Sequence, residues 1–194
     1  EDDFPSLPLF AEDLDHAIDW LRQQPAIDVN NISVLGHSVG AGAALLSASR
    51  RDDLRTVVSV AAFAHPESVV RRLLDSKNVP YRPFGWYALR YLEILVGYSL
   101  DDMAPEKSIA GVRCPVLLVH GKQDETVPVD DAHRIHAKGR PEQVGLWIVE
   151  GDHSFTVEHE MHLSKVAHSL TDWLRNPTGA AWRPAAESME AYRS

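Results

Sequence analysis

Cysteine is nearly absent from this chain of 194 residues, which contains only one, Cys114. A single cysteine excludes an internal disulfide framework, the usual support of small secreted domains. Because Cys114 stands before Pro115 at the start of a predicted strand, we interpret it as a buried structural thiol without a nucleophilic role. The composition suits a cytoplasmic protein, which is the location that we expect.

Long apolar runs and an excess of positive charge are also missing. No stretch approaches the roughly 20 apolar residues that a transmembrane helix needs, and no signal peptide is recognisable. The formal net charge is −9 at pH 7, from 19 Lys and Arg against 28 Asp and Glu. Because an acidic surface repels phosphate backbones and anionic headgroups, we expect neither nucleic acid nor a membrane as a partner.

Methionine is missing from the first position, which Glu1 occupies, so we expect a processed product or a piece of a longer protein. What is present is ordinary for a globular domain. Hydrophobic residues make up 44% of the chain and charged residues 24%. A chain of this length is sufficient for one domain with a hydrophobic core.

Strand and helix patterns alternate along the chain. Short β-branched and apolar runs predict four strands, at 32–36, 56–62, 115–120 and 144–150. Amphipathic stretches predict the main helices, at 12–24, 39–50, 66–76, 129–138 and 157–175. Alternation of this kind predicts the α/β fold class, with a mostly parallel sheet and helices on both faces.

Residues 64–107 interrupt this alternation with a segment that predicts helices and is rich in aromatic residues. We interpret the segment as a helical cap insertion that covers the site, and we expect its Trp86 and Tyr87 to contact the substrate. The domain is expected to span 1–176, beginning with a loop over 1–10. Residues 177–194, which are rich in Ala, are expected to form a flexible tail.

The run Gly36-His37-Ser38-Val39-Gly40 fits the pattern G-x-S-x-G. With a predicted strand before it and an Ala/Leu-rich helix after it, the run predicts a nucleophile elbow, a sharp turn that presents the serine at the sheet edge. A side chain at Gly36 or Gly40 is expected to collide with neighbouring backbone. The amides at the start of the following helix favour a developing oxyanion. His37 is expected to border the pocket and bind substrate.

A serine hydroxyl needs a base, and the base needs an acid to orient it. In parallel sheets such groups collect at the carboxyl ends of the strands. His153 follows the fourth predicted strand and Asp124 follows the third, whereas His120 lies in a turn where we expect it to pack. The rival carboxylates lie in the insertion or at a helix start that capping explains: Asp101, Asp102, Asp130 and Asp131.

Metal chemistry has little support in the sequence. The run H-E-M-H at 159–162 is one residue short of H-E-x-x-H, so the spacing does not fit a zinc protease. The remaining histidine pair on one helix face, His133 and His136, is explained by solvation or packing. The histidine spacings therefore do not predict a zinc site.

Three motifs, GHSVGAGAALL, CPVLLVHGKQDETVP and EGDHSF, stand in this order with a helical insertion between the first two. Together they resemble the α/β-hydrolase superfamily, most closely its branch near dienelactone hydrolases and prolyl-oligopeptidase-type catalytic domains. The resemblance covers roughly residues 9–175. It implies that Ser38 is the nucleophile, His153 the general base and Asp124 the orienting acid, and that the Val39 amide is one oxyanion donor.

The resemblance implies cleavage of an acyl bond through an acyl-enzyme, without a metal or cofactor. We expect a serine hydrolase that acts on a small or medium acyl ester. A peptidase or a thioesterase of the same fold is the alternative within the enzymes, because the triad chemistry is common to them. A non-catalytic interaction protein that uses the hydrolase scaffold is the alternative from another class.

One departure from the superfamily pattern bears on activity. The superfamily's sheet normally begins with several strands before the nucleophile strand, whereas a single predicted helix precedes it here. The missing part carries the second oxyanion amide, and its absence leaves the nucleophile strand at an open edge. Three explanations stay open: a fragment of a longer hydrolase, a second chain or homo-oligomer that completes the sheet, or a reduced protein with weak or no catalysis.

Overall fold

Four parallel strands form the centre of the molecule. In the computed structural model, which describes residues 6–154, 160–182 and 184 (without the side chains of 160–165 and 180), the sheet order is β1-β2-β3-β4. The strands are β1 (Ser33–His37), β2 (Thr56–Val60), β3 (Val116–Gly121) and β4 (Val144–Val149). The two central strands, β2 and β3, are buried along their whole length, as their continuous apolar runs predict.

Seven α-helices surround the sheet in the described part of the chain: α1 (Leu7–Arg22), α2 (Val39–Arg50), α3 (Pro66–Ser76), α4 (Trp86–Val96), α5 (Pro105–Ser108), α6 (Val129–Lys138) and α7 (Glu160–Arg175). Val57 on β2 packs in one core cluster with residues of α1, α2 and α6, whereas Val58 packs in another with Trp173 of α7. Because neighbouring residues of a strand point to opposite faces, helices cover both faces of the sheet. The predicted fold class is confirmed.

The predicted bounds of three helices are confirmed. The bounds of α2, α3 and α6 are the predicted 39–50, 66–76 and 129–138. The first helix differs, because it begins at Leu7 within the predicted loop of 1–10. Ser6 caps it by accepting the Leu9 N–H at 3.4 Å, and Pro8 suits a first turn. The predicted start of the last helix, at 157, lies outside the described residues.

The segment between β2 and β3 contains helices and no strand within the described residues. It comprises α3, a π-turn at Tyr81–Gly85, α4, α5 and a 3₁₀ turn at Ile109–Gly111. Leu89 of α4 is buried against Leu7 of α1 and Phe63 in a core of its own. The opposite side of α4 is apolar and faces solvent. The helical content agrees with the predicted insertion, while its role as a cap stays a prediction.

The start of the predicted flexible tail packs on the sheet. A 3₁₀ turn at Gly179–Ala181 leads to Trp182, whose ring lies edge-on to Trp147 of β4 at 5.5 Å and to Trp173 at 5.7 Å between centroids. Trp173 in turn donates from Nε1 to Thr56 Oγ1 of β2 at 2.9 Å. Flexibility therefore stays a prediction only for residues 185–194, which lie outside the described part of the chain.

Two further expectations concern membrane-spanning helices and the thiol of Cys114. Among the described residues, no helix combines the length and the apolar content required to cross a bilayer. Cys114 is half-buried against the core, and burial raises the pKa of its thiol to about 11. A thiol that stays protonated at neutral pH agrees with the predicted structural role.

Candidate active site

Ser38 lies at the turn between β1 and α2 with φ 54° and ψ −118°, a backbone conformation that residues other than glycine rarely adopt. Its N–H donates to the carbonyl oxygen of Val60 at 2.9 Å, which ties the turn to the end of β2. The strand, turn and helix that the motif requires are therefore all present. Strain of this kind is typical of functional turns.

The two glycines of the motif differ in what they require. A Cβ at Gly36 would lie 2.2 Å from the carbonyl oxygen of Gly40, so only glycine fits there. A Cβ at Gly40 would meet no atom of the described residues within 4 Å. The prediction that a side chain at Gly40 collides with neighbouring backbone is wrong, because that position faces solvent in the first turn of α2.

His153 connects Ser38 to Asp124. Its Nε2 lies 3.0 Å from Ser38 Oγ, and its Nδ1 lies 2.7 Å from Asp124 Oδ2. A carboxylate oxygen can only accept, so Nδ1 carries the ring proton and Nε2 presents its lone pair to the serine hydroxyl. The structure thus brings the three residues selected from the sequence into one continuous chain of hydrogen bonds, with the ring oriented to receive the serine proton.

Asp124 is held from two directions in the loop after β3. Its side chain is 0% exposed, and Oδ1 accepts the backbone N–H groups of Thr126 at 2.9 Å and Val127 at 2.8 Å. Oδ2 is thereby directed at His153. His120 is 1% exposed and donates from Nε2 to the Val127 carbonyl oxygen at 2.8 Å. It packs inside the turn, as predicted, and supports the loop that carries the acid.

The loops after β3 and β4 are joined by contacts that the sequence reasoning missed. The Gln123 N–H donates to the Gly151 carbonyl oxygen at 3.0 Å, and its side-chain Oε1 accepts the Gly151 N–H at 2.6 Å. A Cβ at Gly121 would lie 2.5 Å from the carbonyl oxygens of both Gly151 and Asp152. The only signal in the sequence was the position of Gly121 and Gln123 beside Asp124, which does not by itself indicate contact with a loop so far along the chain.

Val39 is the first residue of α2, directly after Ser38. Its N–H is one of the four that α-helical hydrogen bonding leaves unpaired at a helix start. The positive end of the α2 dipole lies at the same place. The position agrees with that of the predicted oxyanion donor, and its role stays a proposal.

A cavity of about 590 Å³ opens beside Ser38 along β1, which is an edge strand of the described sheet. His37 and Ser38 line it together with mainly apolar side chains: Phe10, Leu14, Val34, Leu35, Val39 and Ala43. Phe10 and Leu14 belong to α1 and were missed, because the sequence indicated only a loop and a surface helix there. His37 therefore borders the cavity, while its contact with substrate stays a prediction.

Trp86 and Tyr87 do not line this cavity. Their rings lie edge to face at 4.9 Å, and they are 47% and 64% exposed. They belong to α4, on the insertion, so their predicted contact with substrate remains untested by the geometry.

His37 has a further contact beside the site. Its Nε2 lies 2.8 Å from the backbone carbonyl oxygen of His153. The two imidazole rings are 5.1 Å apart between centroids, with an angle of 50° between their planes. The residue before Ser38 therefore reaches the loop that carries His153.

Residues 10–180 match the model of the prolyl oligopeptidase family. The uncharacterized protein YqkD of Bacillus subtilis (strain 168) is 30% identical over 135 residues, which are 68% of this chain and 44% of YqkD. Lysophosphatidylserine lipase ABHD12 of Macaca fascicularis is 23% identical over 128 residues, 65% of this chain and 31% of ABHD12. The chain spans about half the length of the curated relatives it matches.

The Pyrococcus furiosus esterase Pf2001 superposes with a TM-score of 0.65 over 87% of this chain and 62% of the esterase, at 18% identity. Identity this low shows a shared fold and no more. From the family match over residues 10–180 and the structural similarity, this chain belongs to the prolyl oligopeptidase family and has the α/β-hydrolase fold.

Proposed function

We propose that this chain is a serine hydrolase that cleaves an ester-type acyl bond of a small or medium substrate through an acyl-enzyme on Ser38. The observation that carries the proposal is the hydrogen-bond chain from Ser38 Oγ to His153 Nε2 at 3.0 Å and from His153 Nδ1 to Asp124 Oδ2 at 2.7 Å. A nucleophile, a base and an orienting acid in this sequence are the requirements of covalent acyl transfer.

The first half of the reaction forms the acyl-enzyme. His153 Nε2 takes the Ser38 hydroxyl proton while Oγ bonds to the carbonyl carbon, and the carbonyl electron pair moves to its oxygen. The Val39 N–H and the start of α2 stabilise that oxyanion. When the tetrahedral intermediate collapses, the bond to the leaving alcohol breaks and His153 returns the proton to the alcohol oxygen.

The second half releases the acid. Water gives a proton to His153 Nε2 as its oxygen attacks the acyl carbon, and Ser38 Oγ then leaves and recovers the proton. A second oxyanion donor would accelerate both halves, since one such donor contributes a factor of about 10²–10³ in rate. No described residue is assigned that part in this proposal.

The cavity beside Ser38 supports an apolar acyl group. Its lining side chains are mainly aliphatic or aromatic, and His37 and Ser38 are the polar ones among them. We assign His37 to the border of the acyl site. Trp86 and Tyr87 are proposed contacts for the part of the substrate that extends toward the insertion.

A peptidase or a thioesterase is the second candidate, and the family match favours the peptidase of the two. The same triad serves all three reactions, so the choice depends on the leaving group that the pocket accepts. A non-catalytic scaffold would gain support from a His153 ring far from Ser38. The distance of 3.0 Å gives it none.

We further propose that a second copy of this chain covers the β1 edge, where Leu35 and Val39 also line the cavity, so that the copy forms part of the cavity wall. Leu35 is 53% exposed and Val39 39% exposed beside an edge strand, and unpaired edges of this kind are pairing sites. A two-fold axis through β1 would join two sheets into one. A cytoplasmic location is also proposed, on composition.

The test of the catalytic proposal is labelling with a fluorophosphonate probe, wild type beside Ser38→Ala, with the modified residue located by peptide mass. Labelling at Ser38 in the wild type alone is the expected result. Turnover of p-nitrophenyl esters of increasing acyl length, compared with the matching thioesters and anilides, then assigns the leaving group. Full esterase turnover by Ser38→Ala would overturn the proposal.

A further inference from the structure

The contact between His37 and His153 joins the nucleophile elbow to the loop of the base. His37 immediately precedes Ser38, so its ring is carried by the same turn as the nucleophile. Its Nε2 reaches the backbone carbonyl oxygen of His153 at 2.8 Å, the ordinary length of a strong hydrogen bond. The two residues are far apart in the chain, so this bond fixes a long-range relation between the two loops.

The chemistry of the acceptor determines which atom carries the proton. A backbone carbonyl oxygen can only accept, so His37 Nε2 must be protonated and donates. That nitrogen is thereby occupied and cannot serve as a base. The bond fixes the orientation of the His37 ring, which lines the cavity together with Ser38.

We propose that His37 is a positioning residue, which holds the backbone of His153 so that its ring meets Ser38. The inference rests on the proposed function of Ser38 and His153, and it differs from the expectation that His37 serves mainly to bind substrate. His37 acts through His153 and has no bond to the reacting atoms in this role.

The geometry of the His153 loop explains why such an anchor matters. Before the base, the loop is held on the acid side, where Gln123 bonds the backbone of Gly151 at 2.6 Å and 3.0 Å. At His153 the ring is held by Asp124, and the backbone is held by His37 from the nucleophile side. Loss of the His37 bond frees the His153 backbone while leaving Asp124 and Gln123 in place.

The rate of acyl transfer is sensitive to movement of the His153 backbone, because a misplacement of the reacting groups by about 1 Å can lower the rate about 10²-fold. A matched pair of variants distinguishes the contribution of the His37 N–H donor from that of the rest of its ring. In His37→Gln the side-chain amide can still donate to the carbonyl oxygen, whereas His37→Met has a similar length and no N–H donor. Both retain a side chain of comparable volume at the elbow.

The expected result is a kcat for His37→Met that is about 10- to 100-fold lower, with KM within about twofold of wild type. The fluorophosphonate labelling rate should fall in parallel, because the probe needs an activated serine. His37→Gln should restore most of both values. A raised KM with unchanged kcat, equal losses in both variants, or no loss in His37→Met would each overturn the proposal.

A second readout keeps the test independent of turnover. In protein with isotope-labelled imidazole nitrogens, NMR should show His37 protonated at Nε2 in the wild type. Both variants lose the His37 ring, which lies 5.1 Å from the His153 ring, so they are compared with each other: the His153 ring resonances should differ between His37→Met and His37→Gln. If the wild type neither reacts with the probe nor turns over esters, the proposed function fails separately from this inference. The inference is still decided by the two variants, because identical His153 resonances in His37→Met and His37→Gln contradict it.

Discussion

The backbone of Gly121 approaches the carbonyl oxygen of Asp152 so closely that a Cβ built on Gly121 would be 2.5 Å from that oxygen. Gly121 ends β3, and Asp152 is the residue before His153. At this point the end of β3 and the loop that carries the base approach each other backbone to backbone. The absence of a side chain at Gly121 therefore contributes to the spacing between Asp124 and His153.

Gly121→Ala should lower activity more than stability. The new methyl group must push the 151–152 backbone away, and the His153 ring moves with it, so the labelling rate at Ser38 should fall by at least about tenfold. Lys122→Ala is the control, because its ion pair with Glu150 at 3.0 Å is exposed and contributes little. Equal labelling rates in the two variants would show that the contact does not position His153.

Asp124→Asn should reduce kcat by about 10³–10⁴-fold. Oδ1 accepts two backbone N–H groups, so the amide oxygen of the variant takes that place and its NH₂ group faces His153 Nδ1. Two donors cannot face each other, so Nδ1 loses its proton, Nε2 gains it, and the ring can no longer accept from Ser38.

Asp101→Asn is the matched control for that variant. Asp101 is a rival carboxylate from the sequence, and the structure places it in the insertion, where it bonds His65 at 2.9 Å with 81% of its side chain exposed. Its replacement should leave kcat within about twofold. A larger loss in Asp101→Asn than in Asp124→Asn would reassign the acid.

Gly36→Ala and Gly40→Ala should differ sharply in the free energy of unfolding. The first places a methyl group 2.2 Å from a backbone oxygen and should destabilise the fold by more than about 3 kcal/mol, or prevent folding. The second adds a methyl group in open space within a helix, where alanine is favoured over glycine by up to about 1 kcal/mol. Urea denaturation of both variants measures the difference, and similar midpoints would contradict it.

Asp53→Asn should lower stability in a pH-dependent way. Arg51 donates to Asp53 from Nε at 2.9 Å and from Nη2 at 2.6 Å, and these bonds hold the pKa of the Asp53 carboxyl below its usual 3.8. A pKa lower in the folded state contributes stability above the unfolded pKa and loses it as the pH falls through the folded pKa. The variant should therefore lose about 1 kcal/mol near neutral pH, and this loss should disappear as the pH falls through the lowered pKa of the folded Asp53 carboxyl.

The neighbouring carboxylate provides the control for this prediction. Asp52 pairs with Arg113 at 3.4 Å, and both side chains are well exposed, at 76% and 66%. Asp52→Asn should leave the free energy of unfolding unchanged within about 0.5 kcal/mol at every pH. Thermal or urea unfolding across the acid range compares the two variants, and a constant loss in Asp53→Asn would contradict the assignment.

Association through β1 predicts a dimer in solution that one charge disrupts. Leu35→Glu should produce a monomer by light scattering at micromolar concentration, because a buried unpaired carboxylate at the edge is costly. Trp20→Glu is the control, since Trp20 is 61% exposed on α1, away from the cavity lining. If the wild type is itself a monomer, a second copy does not cover the β1 edge and the proposal is wrong.

The sequence was sufficient for the features that depend on neighbouring residues. The elbow follows from a strand, a glycine-flanked serine and a helix, all within a few residues, and Pro66 and Pro128 mark their helices. His153 and Asp124 were selected because parallel strands end at one edge, a rule that requires only the strand order. The chemistry of the site was therefore predictable before any distance was known.

The remaining features depend on contacts between segments that the sequence does not connect. A Cβ has open space at Gly40 but would collide with backbone at Gly121. The sequence pattern does not distinguish these two positions, because both are glycines beside a site residue. The contact from His37 to His153 needs the folded positions of two loops, and the place of Phe10 in the cavity needs α1 to begin earlier than its apolar spacing suggests.

The packing of Trp182 on Trp147 and Trp173 has an optical consequence. The Trp182 ring lies 5.5 Å from that of Trp147 and 5.7 Å from that of Trp173, so these indoles are coupled chromophores, which give exciton bands in the near-ultraviolet circular dichroism. The other two tryptophans, Trp20 and Trp86, are 61% and 47% exposed and accessible to an aqueous quencher. The chain thus carries its own reporter: the exciton signal records whether the segment after α7 is docked on the sheet, and the quenchable emission reports separately on α1 and the insertion.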